Sequence, residues 1–291
     1  MIISPVRLAH GLALGTLALL GLAACNSTDG DPFAPTPTPT PAPAATPTPA
    51  PGATPTPTPG APTPTPAPGS FTPTPAPGAA NDCANLALFQ VGSKWTLNYQ
   101  ITGLQTGTSV STAEITQSTT FAGHSALETK VDTTTTYTGL PAATTSVKSY
   151  SALQSGNVVE TYGNVAAITS PLAGTITSTY TPPFLNRIWT LAVGESYSYQ
   201  YNSVSVTQLT GLPDTTASSN VAGTVKYLGK ESVSVPAGTF NTCKFELVSG
   251  TTTTTEWFTT SGLAARTTTV DPQGTLTLSL TSGTVNGAAL Q

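Results

Sequence analysis

The chain has 291 residues, of which only 8% are charged. From Asn81 onward eight Lys/Arg stand singly against eleven Asp/Glu, a net charge of −3, so there is no clustered basic footprint to displace phosphate counterions, and a nucleic-acid partner is excluded. Thr, Ser and Gly carry the polarity, and solubility rests on hydroxyls and backbone more than on ions.

Residues 1–10 hold one positive charge, Arg7, and residues 11–24 are an unbroken apolar and small-residue run ending in Leu22-Ala23-Ala24-Cys25. A positive end followed by a short apolar stretch is a secretory leader, too short for a permanent membrane span, so residues 1–24 are expected to be removed. The last four residues resemble the lipobox of bacterial lipoproteins. That resemblance implies diacylglycerol on the Cys25 thiol, cleavage before it, and two or three acyl chains, palmitate among them. Each buried methylene contributes about 0.8 kcal/mol, which makes such an anchor effectively permanent. Asn26 stands where an aspartate would favour the inner membrane, and the same resemblance therefore points to the outer one. The competing reading is an ordinary leader cut after Ala24, with Cys25 left as a free thiol in an oxidising compartment.

Residues 25–80 form a lipidated N-terminus and stalk. Between positions 32 and 77 there are nineteen prolines in 46 residues, and Thr-Pro-Thr-Pro-Ala-Pro-Gly recurs at 46–52, 63–69 and 72–78. Proline removes the amide donor, fixes φ and pushes the preceding residue to extended geometry, so polyproline II is favoured over any packed form, and the segment is expected to be disordered. Its reach is roughly 140 Å at about 3.1 Å per residue. Recognition of the repeat by an aromatic groove is the alternative to a spacer. The Thr-Pro density also invites O-glycosylation.

Residues 81–291 read as a single all-β domain. A short helix over 82–89, capped by Asp82, competes with an irregular lead-in. Trp95, Leu97, Tyr99 and Ile101 alternate with Thr96, Asn98, Gln100 and Thr102, the period of two of a half-buried strand. Thr, Val and Tyr enrichment marks further strands at 109–118, 126–136, 146–152, 158–162, 195–207, 223–227, 231–235, 240–248, 253–258, 265–270 and 275–280. Residues 91–99 are echoed by 193–201 at an offset of 102 (197 − 95), each followed by an Ala-Gly turn and a threonine run. The expectation is two related halves, curved antiparallel sheets sharing one core in a half-barrel or sandwich-like arrangement. Chance similarity among Thr-rich strands is the competing account.

Val235-Pro236-Ala237-Gly238-Thr239-Phe240 is a hairpin turn, with Pro presetting φ and Gly closing the reversal. Together with Val91-Gly92 leading to Trp95, and Glu256-Trp257-Phe258 leading through Gly262-Leu263 to Arg266, it resembles a broad group of uncharacterised bacterial envelope lipoproteins. The resemblance spans most of 83–270 and implies a fold without a catalytic duty. Lol-type and mycobacterial lipoprotein carriers have a similar general shape and hold acyl chains in a half-open barrel, but no motif places this chain among them.

Cys83 and Cys243 are an even pair in an exported domain, which suggests a disulfide; the alternative is that Cys243 is a small buried hydrophobe. His124, the one histidine left after processing, sits on a turn without a second histidine or cysteine pair, so neither a metal site nor a triad is expected. Glu128, Glu246 and Glu256 could pair for glycoside hydrolysis, yet spacing alone cannot bring them together. Trp95 and Tyr99, with Tyr197, Tyr199 and Tyr201, each share one face of a strand and could line a ligand surface or fill a core. No catalytic residue, metal or cofactor is expected. The function expected is a membrane-anchored envelope module binding a hydrophobic or extended ligand, a lipid or a protein partner. A structural or adhesive surface protein is the second reading, and a hydrolase acting on envelope glycans the third.

Overall fold

A computed structural model of the chain describes residues 79–169 and 172–290; Cys25, the leader and the stalk lie outside them. Strands follow one another as an up-and-down meander: β1 (Lys94–Gly103), β2 (Gly107–Phe121), β3 (His124–Tyr137), β4 (Ala143–Gln154), β5 (Val158–Ile168), β6 (Gly174–Asn186), β7 (Ser196–Leu209), β8 (Thr215–Val235), β9 (Gly238–Ser249), β10 (Thr252–Thr259), β11 (Ala264–Asp271) and β12 (Gly274–Val285), with a two-residue β13 (Ala288–Ala289) beside β12. Every neighbour pairs antiparallel, and β12 returns to β1 with Trp95 opposite Val285 and Ile101 opposite Leu278.

That last ladder corrects the expected half-barrel or sandwich: the sheet is all-β as read, but it closes into a barrel. The physical reason is the edges. Two long Thr- and Leu-bearing edge strands would leave a row of unpaired amides, and pairing β1 with β12 removes both edges at once.

Successive connections of the meander fall alternately at the two ends of the barrel. At one, the plugged end, the lead-in forms two 3₁₀ turns, Ala80–Cys83 and Leu86–Leu88, between the short helix and the irregular lead-in that the sequence left open, and a third, Ile188–Thr190, joins β6 to β7. Ala80 donates to the Leu191 carbonyl, and Ala80, Cys83, Leu88, Ile188 and Trp189 are buried. Bulges cluster towards this end, at Thr116 on β2, Tyr162 on β5 and Leu228 on β8, where an extra residue bends the strand and tightens its twist. The β8–β9 hairpin curls over it, so that Val233 and Phe240 join Trp95, Leu97, Tyr99, Leu278 and Leu280 in one core.

The other end, the mouth, carries the β1–β2, β3–β4, β5–β6, β7–β8, β9–β10 and β11–β12 connections. Side chains fill a barrel of about eight strands; twelve enclose more room, and here the filling is uneven. Ala217 and Ser219, which the register places on the inner face of β8, are exposed.

The segments echoed in the sequence occupy equivalent places six strands apart. Gly92 donates to Ile115 and Ile115 to Ser93; Gly194 donates to Tyr227 and Tyr227 to Glu195. Each acceptor strand bulges immediately afterwards, at Thr116 and Leu228. Both glycines hold positive φ, +92° and +84°, which a side chain would resist.

Candidate functional site

Five aromatic side chains form a continuous strip on the inner wall. Tyr197, Tyr199 and Tyr201 alternate along β7, and Tyr180 and Phe184 face them from β6. Ring centroids are 4.7 Å apart for Tyr180–Tyr201, 5.1 Å for Phe184–Tyr199, 5.6 Å for Phe184–Tyr201, 6.3 Å for Tyr199–Tyr201 and 6.5 Å for Tyr197–Tyr199, within the range in which rings attract one another. All five are half-buried. At the plugged end the strip runs into a closed cluster, where Trp189 meets Phe245 and Phe258 edge-on at 5.7 and 5.3 Å. Asn186 ties the two together, its side-chain oxygen accepting from the Ile188 amide at 3.1 Å and the Tyr197 hydroxyl at 3.3 Å.

The wall around the strip is polar but neutral. Across neighbouring strands Ser109 pairs with Thr135, Thr133 with Ser111 and Ser178 with Ser205, while the Asn164 amide donates to the Tyr180 hydroxyl at 2.6 Å. Among the described residues, the inner faces of β2–β7 and of the first half of β8 carry no Lys, Arg, Asp or Glu. An apolar strip between rows of hydroxyls offers nothing that would repay desolvating a charge.

Trp95 and Tyr99 stand elsewhere. Each is 2% exposed, packed in the core under Leu88 and the β8–β9 hairpin, and the Tyr99 hydroxyl donates to the Ala264 carbonyl at 2.8 Å. Burial, and then the neighbouring Glu256 charge, raise the Tyr99 phenol far above its ordinary range. The core-packing account applies to these two, and the strip to the three β7 tyrosines. Tyr180 and Phe184 escaped the sequence reading because β6 was not read as a strand.

The carboxylates do not converge. Glu256 is buried on the inner face of β10, opposite Phe245 and Thr267. Glu246 lies on the outer face of β9, opposite Lys226. Glu128 is on the outer face of β3 beneath a small aromatic cover in which Phe121 stacks on Tyr150 at 4.2 Å and His124 on Tyr162 at 4.3 Å. Among the described residues no three His, Cys, Asp or Glu group as a metal site.

Glu128 is satisfied on every side, accepting from Thr116 at 2.7 Å, Tyr150 at 3.1 Å and Gln117 at 3.4 Å, with Lys148 at 3.1 Å. Burial would raise its carboxyl, but these donors outweigh burial and hold it below the ordinary glutamate value. Burial, then the Glu128 charge, push Tyr150 up to about 12. A depressed carboxyl stabilises the fold above its unfolded pKa, and that contribution disappears as pH falls through the depressed value; a raised phenol acts oppositely, failing as pH climbs from about 10 towards 12. Glu128→Gln should therefore lower the urea midpoint at pH 7, with the difference from wild type shrinking in acid. An equal loss at pH 7 and pH 3 would contradict the assignment.

Cys83 and Cys243 are joined by a disulfide, with Cα atoms 6.0 Å apart, which fastens the plug to β9. The Glu256-Trp257-Phe258 motif serves two core clusters: Phe258 packs with Phe245 and Trp189, while Trp257 is buried with Val233 and Phe240, under Lys244 and Arg266 at 5.1 and 5.8 Å, and donates to Glu231. Arg266 also donates to the Ser234 carbonyl. The motif clamps the β8–β9 hairpin, which explains its residues as structural.

No protein-family model matches the chain, and no curated protein matches its sequence. Among solved structures, a β-barrel-like protein of the domain of unknown function DUF1849 from Brucella abortus is similar at TM-score 0.37 and 9% identity, over 67% of this chain and 99% of that one. A Parabacteroides distasonis protein inferred to be a lipoprotein is similar at 0.31 and 14%, over 67% and 96%. A Bacteroides fragilis protein inferred to be exported, with a YmcC-like fold, is similar at 0.33 and 10%, over 69% and 97%. At these scores the likeness assigns no residue a role.

Proposed function

We propose that the chain is a lipid-anchored envelope protein whose barrel binds an elongated, uncharged ligand with an apolar surface, seated along Tyr180, Phe184, Tyr197, Tyr199 and Tyr201. The observation that carries this reading is the contrast inside one barrel: apolar side chains are packed shut at the plugged end, whereas the aromatic strip stays half-exposed towards the mouth. Its task is capture or carriage without chemistry, since Glu256 stands on the inner face of β10 while Glu128 and Glu246 stand on the outer faces of β3 and β9.

Native mass spectrometry of the chain expressed without residues 1–24 and carrying Cys25→Ser tests the binding. A bound lipid or glycolipid mass is expected, and Tyr199→Ala/Tyr201→Ala should weaken retention of a fluorescent acyl probe at least tenfold, the order of losing two aromatic contacts. Bare protein with no probe binding would reject the ligand and leave a structural or adhesive surface module.

The anchor and its membrane are part of the same proposal, with acylation at Cys25, palmitate among its chains, the proline-rich segment as a spacer, and the outer membrane as destination. In the native host, Cys25→Ser should abolish processing and metabolic labelling with palmitate. Normal processing and labelling of that variant would remove the anchor from the reading.

A further inference from the structure

The mouth of the barrel is ringed by apolar residues held outward on ordered turns. Thr-Gly-Leu occurs three times, at 102–104, 138–140 and 210–212, the last two followed by proline, and all three fall on hairpin connections at the mouth. Leu104, Leu140 and Leu212 are 51%, 56% and 52% exposed. Their backbones are fixed: Leu140 donates to Tyr137, Leu212 to Leu209 and Leu104 to Thr275, while Gly103, Gly139 and Gly211 hold positive φ. Pro141 and Pro213 further restrict the leucine before each to extended geometry. Leu172 is exposed on the β5–β6 connection, and Val248 and Val270, both opposite Thr253, are exposed near the ends of β9 and β11.

Exposed apolar residues also occur at the plugged end, where Val193 stands two residues from Glu195 and Leu185 two residues from Arg187. At the mouth turns no Lys or Arg is present among the described residues, and both acids are occupied. Asp214 accepts from Gln208, and Asp271 caps its own turn by accepting from the Gln273 and Gly274 amides.

From this arrangement we infer that the mouth docks on an electrically neutral lipid bilayer surface, with the leucine tips entering the headgroup boundary. A protein partner would favour one contiguous apolar patch. Here single leucines are separated by Thr, Gly and Gln around a rim, a pattern that meets a plane which each tip penetrates independently. The absence of cations argues against recognition of anionic lipid, which depends on them. The rim lies at the end opposite Ala79. This inference does not depend on what the lumen holds.

Flotation of the chain expressed without residues 1–24 and carrying Cys25→Ser, with phosphatidylcholine vesicles, is the test. The chain should float with the vesicles at low and high salt alike, and Leu104→Ser/Leu140→Ser/Leu212→Ser should reduce partition at least tenfold with an unchanged melting curve. Leu212→Trp gives a second readout that retains apolarity, because its added emission should shift to the blue on mixing with vesicles. Equal flotation of the serine variant, absence of flotation or blue shift, or salt-sensitive binding confined to phosphatidylglycerol vesicles would overturn the inference. So would a dimer that the serine variant dissociates, which would assign the rim to a second copy of this chain. A lumen without ligand would reject the binding reading above and leave these outcomes untouched.

Discussion

Replacing Cys83 and Cys243 together by alanine should destabilise the barrel by up to about 5 kcal/mol, the chain-entropy value for a closed loop of this length. The bridge spans 160 residues and so restricts almost the whole unfolded domain. In the folded state it fastens the plug to β9, where both cysteines are buried at 1% and 0% exposure. Without it, the plug keeps the Ala80 bond to Leu191, the Lys230 pair with Asp82 and the burial of Leu88, so the barrel should still fold, only less firmly. A domain of this size shifts by about 2–4 °C per kcal/mol, and a fall of roughly 10–20 °C in Tm is expected, reproduced in the wild-type chain by reductant. A shift of less than about 2 °C would show that the link does not constrain the unfolded chain.

Strand identity was legible wherever one face is buried and the other wet. The alternation from Trp95 to Ile101 reads directly as β1, and the VPAGTF turn reads directly as the β8–β9 hairpin. Closure was not legible, because nothing local in 94–103 or 274–285 announces that these strands meet. Strand β6 was hidden by Pro182-Pro183, which in isolation break a strand. The ladder accommodates them by jumping from Thr161–Phe184 to Gly163–Thr179, so the missing amides fall where no pairing is made. The first half of β8 was hidden for the opposite reason: Thr, Ser, Asn and Ala are polar or small on both faces, because residues 215–223 pair with β7 alone, beyond the last β8–β9 pair at Thr224–Val248.

The site divides along the same line. Trp95 and Tyr99 look like Tyr197, Tyr199 and Tyr201 in sequence, as equivalent positions of an echoed strand. They differ in surroundings that period and spacing do not encode. Leu88 and the curled β8–β9 hairpin lie over β1, whereas the β7 tyrosines stay half-buried beside Tyr180 and Phe184 on the neighbouring strand. The leucine tips at the mouth are legible as a repeated Thr-Gly-Leu only once the turns that carry them are known to share one end.

Trp189→Ala should cost about 3–5 kcal/mol, the usual range for removing a large buried aromatic, because the surrounding cluster can close only part of the cavity. Trp189 is 2% exposed and wedged edge-on between Phe245 and Phe258. Its turn is held by the same Asn186 oxygen that accepts from Tyr197, and Tyr197 and Tyr199 pack against this cluster. The substitution should therefore reach the lumen as well as the core, weakening the acyl probe beyond what the loss of stability alone would cause at temperatures where the variant remains folded. Because Cys83, Cys243 and Trp189 belong to one cluster, combining this change with Cys83→Ala/Cys243→Ala should give a destabilisation that departs from the sum of the two by about 0.5–3 kcal/mol. Strict additivity, measured by urea unfolding of the four chains, would mean that plug and lumen floor are energetically separate, and probe binding unaffected by Trp189→Ala would mean that the aromatic strip does not depend on the floor beneath it.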